Sequence, residues 1–298
     1  MKILLTGSNG LLGQKLVKLI TEQTDHQLVA TARGKNRLPA SDLYQFESLD
    51  ITDKNHVLNC IKTHQPNVVI NTAAMTNVDQ CETEKEDCWQ LNVTAVEYLI
   101  EACEQNNSFL LHLSTDFIFD GEDGPYSEEA EANPVSYYGE SKLAAEKLIE
   151  GSNIEWAIAR TVLVYGIAHD MSRSNIILWV KKSLEEGKEI QVVDDQWRTP
   201  TLAEDLAQGC LLIAEQKATG IFNISGDDLL TPYEMAIATA EFFKLPTDSM
   251  TKTDSTKFKQ TAKRPPKTGF ILDKAKNILG YKPHSFKDGI EILADQIN

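Results

Sequence analysis

Apolar and polar positions along this 298-residue chain fall into alternating blocks, short apolar runs followed by longer stretches with helical spacing. Six of the runs read as strands: Lys2 to Thr6, Gln27 to Thr31, Tyr44 to Ser48, Val68 to Asn71, Phe109 to Ser114 and Trp156 to Arg160. Val68 to Asn71 is nearly all apolar, as a parallel strand covered on both faces must be. Between the strands, apolar residues recur on one helical face, as in Gln14-Lys15-Leu16-Val17-Lys18-Leu19-Ile20 and in the helix expected over Cys88 to Glu104. Such alternation predicts an α/β fold, a doubly wound parallel sheet of Rossmann type with right-handed crossovers.

After Gly166 the pattern changes. A helix is expected over Ser174 to Gly187, a strand over Glu189 to Val193, and a polar loop from Asp194 to Thr201 before a helix over Leu202 to Ala214. Gly220 to Ile224 reads as one more strand, returning to the main sheet. Helices near Thr231 to Phe243 and Asp273 to Leu279, joined by polar segments, suggest a small cap. The expected division is a dinucleotide-binding domain of residues 1–166 plus about 201–226, and a smaller C-terminal substrate-binding domain of about 167–200 plus 227–298.

Charge narrows the function. A net charge of −15 and a pI near 4.9 argue against a general nucleic-acid binder, whose affinity comes from basic surface. Five scattered cysteines without Cys-x-x-Cys spacing read as free structural thiols. Neither a signal segment after Met1-Lys2 nor a membrane span is expected, since no run approaches the roughly 18 apolar residues a span requires; the expected compartment is the cytoplasm.

The first strand stops at Gly7-Ser8-Asn9-Gly10-Leu11-Leu12-Gly13, which opens a helix. Glycines there give a tight turn, close approach of backbone to a pyrophosphate and close helix packing, with the helix amino end toward the phosphates. At the end of the second strand, where an acidic residue suits a free ribose 2'-hydroxyl, stands Arg33, with Lys35 and Arg37 behind it. Arginine suits a 2'-phosphate, so NADP(H) is expected in preference to NAD(H). Asp50, beside Ile51, is positioned to accept from an adenine amine, while Asp53 reads as a helix cap. Thr72-Ala73-Ala74 ends the fourth strand with small residues that let a cofactor lie close. Asn92 reads either as an inward polar support for the site or as a surface residue. In Tyr137-Tyr138-Gly139-Glu140-Ser141-Lys142, Tyr138 and Lys142 stand one helical turn apart and share a face. A fixed ammonium favours phenolate and draws a phenol toward the working pH range, and a hydroxyl from Ser114 or Thr115 can hold a substrate oxygen beside it. No His or carboxylate cluster with metal-ligand spacing stands out, so no metal ligand is assigned and a divalent-metal requirement is left open.

Together these residues resemble the extended short-chain dehydrogenase/reductase family and, within it, the dTDP-4-dehydrorhamnose reductase subfamily. The resemblance runs the whole length. Its general marks are Gly7-x-x-Gly10-x-x-Gly13 and Tyr138-x-x-x-Lys142; its sharper ones are Ser114 to Gly121, Val69 to Ala74, Asp195-Gln196 with Pro200-Thr201, and Arg264-Pro265. The resemblance implies reduction of the C4 ketone of a nucleotide-linked 4-keto-6-deoxyhexose, in dTDP-rhamnose biosynthesis, with Thr115, Tyr138 and Lys142 catalytic. It implies a cofactor held by the glycine loop (Gly7, Asn9, Gly10, Leu11, Leu12 and Gly13), by Arg33, Asp50 and Ile51, and by Thr72, Ala73 and Ala74. The nucleotide sugar would meet Thr115, Asp116, Thr201, Arg264 and Arg198, the last at its pyrophosphate. Phe117 stands where dehydratases of the family usually carry an acid, which disfavours dehydration. The departures, in Met75 to Asp79 and at Trp197-Arg198, lie around the substrate. Two alternatives stay open: a reductase or epimerase of another nucleotide sugar, and a non-catalytic NADP-binding regulatory subunit like the beta subunit of methionine adenosyltransferase. The expected partner is a nucleotide sugar, not nucleic acid or membrane; a homodimer is left open.

Overall fold

A computed structural model describes residues 1–39, 41–170, 175–258 and 260–297. Its strands in chain order are β1 (Lys2–Thr6), β2 (Gln27–Ala32), β3 (Gln45–Ser48), β4 (Val68–Asn71), β5 (Phe109–Thr115), β6 (Trp156–Thr161), β7 (Val164–Tyr165), β8 (Ile190–Val193), β9 (Thr201–Leu202), β10 (Gly220–Asn223) and β11 (Met250–Thr253). Seven of them form one sheet in the order β10-β6-β5-β4-β1-β2-β3, every neighbouring pair parallel. The order reverses at β1 and β4, and ligands of such sheets lie at the carboxyl ends of the strands beside that reversal.

The helices are α1 (Leu11–Gln23), α2 (Lys54–His64), α3 (Val78–Thr83), α4 (Lys85–Trp89), α5 (Ala95–Asn106), α6 (Tyr137–Glu150), α7 (Ile176–Glu185), α8 (Ala203–Gln216), α9 (Pro232–Phe242) and α10 (Phe286–Ile297). Because successive strand residues point to opposite faces, Ile3 and Leu5 join Leu16, Ile20, Leu206 and Cys210 in one core, while Leu4 joins Val57, Ile61, Val96, Leu99 and Ile149 in the other. Thus α1 and α8 cover one face of the sheet, and α2, α5 and α6 the other. Each fully buried aliphatic side chain stabilises this sandwich by roughly 1.5–3 kcal/mol.

Several expectations need correction. The helix expected over Cys88 to Glu104 is α4, a π-helical turn at Gln90–Thr94, and α5. The wide turn shifts the register, so Asn92 is buried and aimed inward, which decides its reading. The helix expected over Ser174 to Gly187 is α7; Ser174 lies outside the described residues. The strand at Ile190–Val193 pairs with β11, which had no expected counterpart, in a separate two-stranded sheet. Helix α10 was also unforeseen; it buries Phe286, Ile290 and Leu293 against Tyr165 and Met235. Asp273 to Leu279 ends in a π-turn at Ala275–Leu279. Among the described residues no helix is long and apolar enough to cross a membrane.

Candidate active site

The carboxyl ends of β1, β4, β5 and β6 open onto a cavity of about 730 Å³. Its floor begins at the glycine loop. A Cβ on Gly13 would come within 2.2 Å of the Gly7 carbonyl oxygen, so only glycine lets α1 start this close to β1. The loop residues Asn9 and Gly10 and the first turn of α1, Leu11, Leu12 and Gly13, then face the cavity, the turn with backbone N–H groups that no intrahelical carbonyl can satisfy.

On the other side, β5 delivers Ser114 and Thr115, and α6 delivers Tyr138 and Lys142. Helix α6 starts where it does because Ser136 Oγ accepts from Gly139 N (3.3 Å) and Glu82 of α3 accepts from Tyr137 N (2.8 Å). A side chain at Gly139 would strike the Phe117 carbonyl at 2.1 Å, so glycine here brings α6 against the turn after β5. Further along, Arg160 of β6 grips the Glu146 carboxylate with Nη2 (2.7 Å) and Nε (3.1 Å) and donates to the Glu128 carbonyl (3.1 Å). That buried pair fixes the rotation of α6 and so the direction of Tyr138 and Lys142. Asn92 completes the frame: its amide donates to Met75 O (3.1 Å) and Ser141 Oγ (3.1 Å), and its Oδ1 accepts from Met75 N (2.8 Å).

Thr115, Tyr138 and Lys142 therefore share one cavity with the glycine loop, but the electrostatics differ from the expectation. Burial pushes the Tyr138 phenol well above its usual value, an effect the facing Thr115 hydroxyl only opposes, and Asp116 adds to the rise. Lys142 Nζ is engaged elsewhere, donating to the Leu113 carbonyl (2.7 Å) and lying 2.9 Å from His112 Nε2. Burial lowers Lys142 to about 8. As placed, Tyr138 is a protonated phenol, an acid rather than a base. Thr115 Oγ1 donates to Asp116 Oδ1 (3.0 Å) and accepts from Phe117 N (3.2 Å), so its lone pair stays anchored at the cavity wall. Phe117 meets the Tyr138 ring edge-on at 5.7 Å and walls off water there.

Other expected residues fall less simply. Thr72 and Ala74 line the cavity, whereas Gly7, Arg33, Asp50, Ile51 and Ala73 do not. Arg33 is exposed at the end of β2, where its charge, after the Thr52 hydrogen bonds, helps to hold Asp50 low. It is Arg37 that reaches the cavity, its backbone N–H held by Asn9 Oδ1 (2.9 Å). Asp50 accepts from Thr52 N (3.0 Å) and Oγ1 (2.7 Å), and Ile51 is packed into the core.

Two substrate expectations need correction, and a third residue sits apart from the main cavity. Arg198 is 5% exposed, and its guanidinium donates to the carbonyls of Pro265 (2.6 Å), Trp197 (2.7 Å) and Pro266 (3.2 Å); it clamps a loop instead of facing a pyrophosphate. The hydroxyl of buried Thr201 is spent on the Val162 carbonyl (2.5 Å), where it ties β9 to the end of β6. Arg264 lies outside the main cavity, paired with Asp79 (2.7 Å) and the Ala262 carbonyl (3.1 Å). Asp116 does line the cavity, but Thr115 and Thr268 occupy its oxygens, and burial raises it. Sequence reasoning missed Thr161, Tyr165 and Asn175, which form the far wall, and His112 behind Lys142. It also missed Glu47, Cys60 and His64, whose ligand atoms come within 4.8 Å of one another outside the cavity, because strand β3 and helix α2 bring them together.

The residues fit a nicotinamide dinucleotide. Ser114 Oγ is buried, lines the cavity and has no hydrogen-bond partner among the described residues, and the glycine turn leaves a bare backbone cradle at the helix amino end.

The sequence profile of the RmlD substrate binding domain matches residues 1–298. The dTDP-4-dehydrorhamnose reductase of Aggregatibacter actinomycetemcomitans is 33% identical over 244 residues, 80% of this chain and 77% of that one. The methionine adenosyltransferase 2 subunit beta of Bos taurus is 32% identical over 254 residues, 84% of this chain and 74% of that one. The crystal structure of a dTDP-4-dehydrorhamnose reductase from Clostridium acetobutylicum superposes with a TM-score of 0.88 at 28% identity, covering 100% of this chain and 99% of that one.

Proposed function

The chain belongs to the RmlD substrate-binding domain family, and from that premise we propose that it is an NADP(H)-dependent reductase of the C4 ketone of a nucleotide-linked 4-keto-6-deoxyhexose. The observation that carries the reading is the convergence of Thr115, Tyr138 and Lys142 on the cavity floored by the glycine loop. The bound cofactor supplies a hydride to the ketone carbon. The Thr115 hydroxyl, turning its proton from Asp116 to the ketone oxygen, orients that oxygen, and Tyr138 gives it a phenolic proton as charge develops. A phenol held protonated by burial suits a donor in the reducing direction. Lys142 steadies the nicotinamide ribose once it turns from the Leu113 carbonyl.

Preference for NADP(H) is supported by the cations after β2: exposed Arg33 and, closer to the cavity, Arg37. Phe117 against the Tyr138 ring supports reduction over dehydration, since an apolar ring replaces the acid a dehydratase needs. The similarity to the methionine adenosyltransferase subunit, 32% over 254 residues against 33% over 244 for the reductase, supports a second reading, a regulatory NADP-binding subunit. Steady-state oxidation of NADPH with dTDP-4-keto-6-deoxy-L-mannose separates the two. Turnover is expected; tight NADPH binding without turnover, together with a stable complex with a methionine adenosyltransferase catalytic subunit, would establish the second.

A further inference from the structure

The surroundings of His112 fix which of its nitrogens carries the proton. Asn71 Oδ1 accepts from Thr6 Oγ1 (2.6 Å) and Ala73 N (3.3 Å), which turns Asn71 Nδ2 toward His112 Nδ1, 3.0 Å away. An amide nitrogen only donates, so Nδ1 accepts, and a neutral imidazole then carries its proton on Nε2. Nε2 lies 2.9 Å from Lys142 Nζ, whose other contact is donation to the Leu113 carbonyl. An ammonium has donors only, and two donors facing each other form no bond. A neutral amine resolves the conflict: its lone pair receives the Nε2 proton while an N–H still serves Leu113.

Burial acts in the same direction. Both side chains are almost wholly enclosed, His112 at 1% and Lys142 at 2% exposure, and desolvation disfavours the charged form of each. Two neighbours oppose burial and favour the ammonium. They are the Glu146 carboxylate, already held by Arg160, and Cys88 of α4, whose thiol hydrogen-bonds Ser141 Oγ (3.6 Å) and is drawn down by Cys81 and in part by Lys142; Tyr138, a protonated phenol, adds no charge.

We propose, on the reductase reading, that His112 is a positioning residue that presents Nε2–H to Lys142 and favours its neutral amine over the ammonium until cofactor binds. The phosphates and ribose hydroxyls of a bound dinucleotide favour the ammonium. Lys142 Nζ then takes one proton from solvent, can no longer accept from Nε2, and turns from His112 toward the ribose. His112 sets the resting position and charge of Lys142 without touching a reacting atom.

The first test is nitrogen-15 NMR of histidine-labelled protein without added nucleotide, the His112 signal being identified by its contacts to Lys142. His112 should stay neutral across the ordinary histidine range, and above about pH 8, where the amine dominates, its proton should sit on Nε2. Titration of His112 near its ordinary value, or a proton on Nδ1, overturns the proposal. The second test is NADPH calorimetry above about pH 8, where the amine dominates, in buffers of different ionisation heat. Wild type should take up close to one proton per site. His112→Gln, whose Oε1 accepts from an ammonium, should bind NADPH with uptake cut by at least half; equal uptake in both proteins overturns the proposal. Failure of the wild-type protein to bind a nicotinamide dinucleotide would sink the reductase reading, and the NMR result would still decide His112.

Discussion

Replacing Arg198 with methionine keeps the side-chain stem and removes the guanidinium. The Pro265 carbonyl loses its donor, those of Trp197 and Pro266 fall back on the backbone N–H groups of Thr268 and Trp197, and buried Asp116 loses the cation whose Nε lies 3.9 Å away. A buried carbonyl left without a donor costs about 1–3 kcal/mol, and breaking a buried ion pair about 3–5 kcal/mol. These overlap, because Asp116 keeps Thr115 and Thr268 and, already raised by burial, can take a proton. A net loss of about 3–5 kcal/mol is expected, a large part of the roughly 5–15 kcal/mol that holds a domain together. At about 2–4 °C per kcal/mol for a chain of this size, Tm should fall by on the order of 10 °C. Thermal unfolding followed by circular dichroism measures this. At temperatures where the variant stays folded, KM for the nucleotide sugar should change little. An unchanged Tm with a KM raised tenfold would refute the clamp and restore Arg198 as a pyrophosphate contact.

Tyr138→Phe should lower turnover by a factor on the order of 10² to 10⁴ with NADPH affinity nearly intact, and near-wild-type turnover would remove Tyr138 as proton donor. Arg33→Ala should weaken NADPH more than NADH in fluorescence titrations; an equal loss for both would count against 2'-phosphate recognition. For Lys142→Met the prediction concerns pH. The folded lysine titrates at about 8 and the unfolded one near its usual 10.5, so between these values the unfolded chain binds more protons and wild-type stability rises with pH. Relative to wild type, the methionine variant should be favoured at pH 7 and lose that advantage by about pH 10.5, as read by denaturant midpoints across the window. A constant difference would show that burial does not lower Lys142.

The strands of the main sheet were legible because parallel strands covered on both faces must be apolar throughout, as β4 shows. Strand β11, Met-Thr-Lys-Thr with its two middle residues exposed, offers no such run. Helix α10 did carry a readable signal, since Phe286, Ile290 and Leu293 repeat on one face. The glycine loop and the shared face of Tyr138 and Lys142 were legible because local geometry alone joins them. Arg198 was not: its partners lie far along the chain at Pro265 and Pro266, and an arginine in a polar loop looks the same whether it faces a ligand or a backbone carbonyl. The direction of Lys142 depends likewise on His112 and Leu113, which only the pairing of β5 with its neighbours brings under α6. Counting along the chain from Gly13 pointed to Arg33, whereas the bond from the Arg37 N–H to Asn9 brings Arg37 to the cavity.

The central claim is hydride delivery to a sugar carbon, and isotope transfer tests it most directly. The protein would be given dTDP-4-keto-6-deoxy-L-mannose and NADPH deuterated at the transferable position of nicotinamide C4, and the sugar product read by mass spectrometry and proton NMR. The account predicts one deuterium per product molecule, located at sugar C4, and its loss from the oxidised cofactor. A recovered keto sugar without deuterium, from a protein that nonetheless binds NADPH, would contradict it.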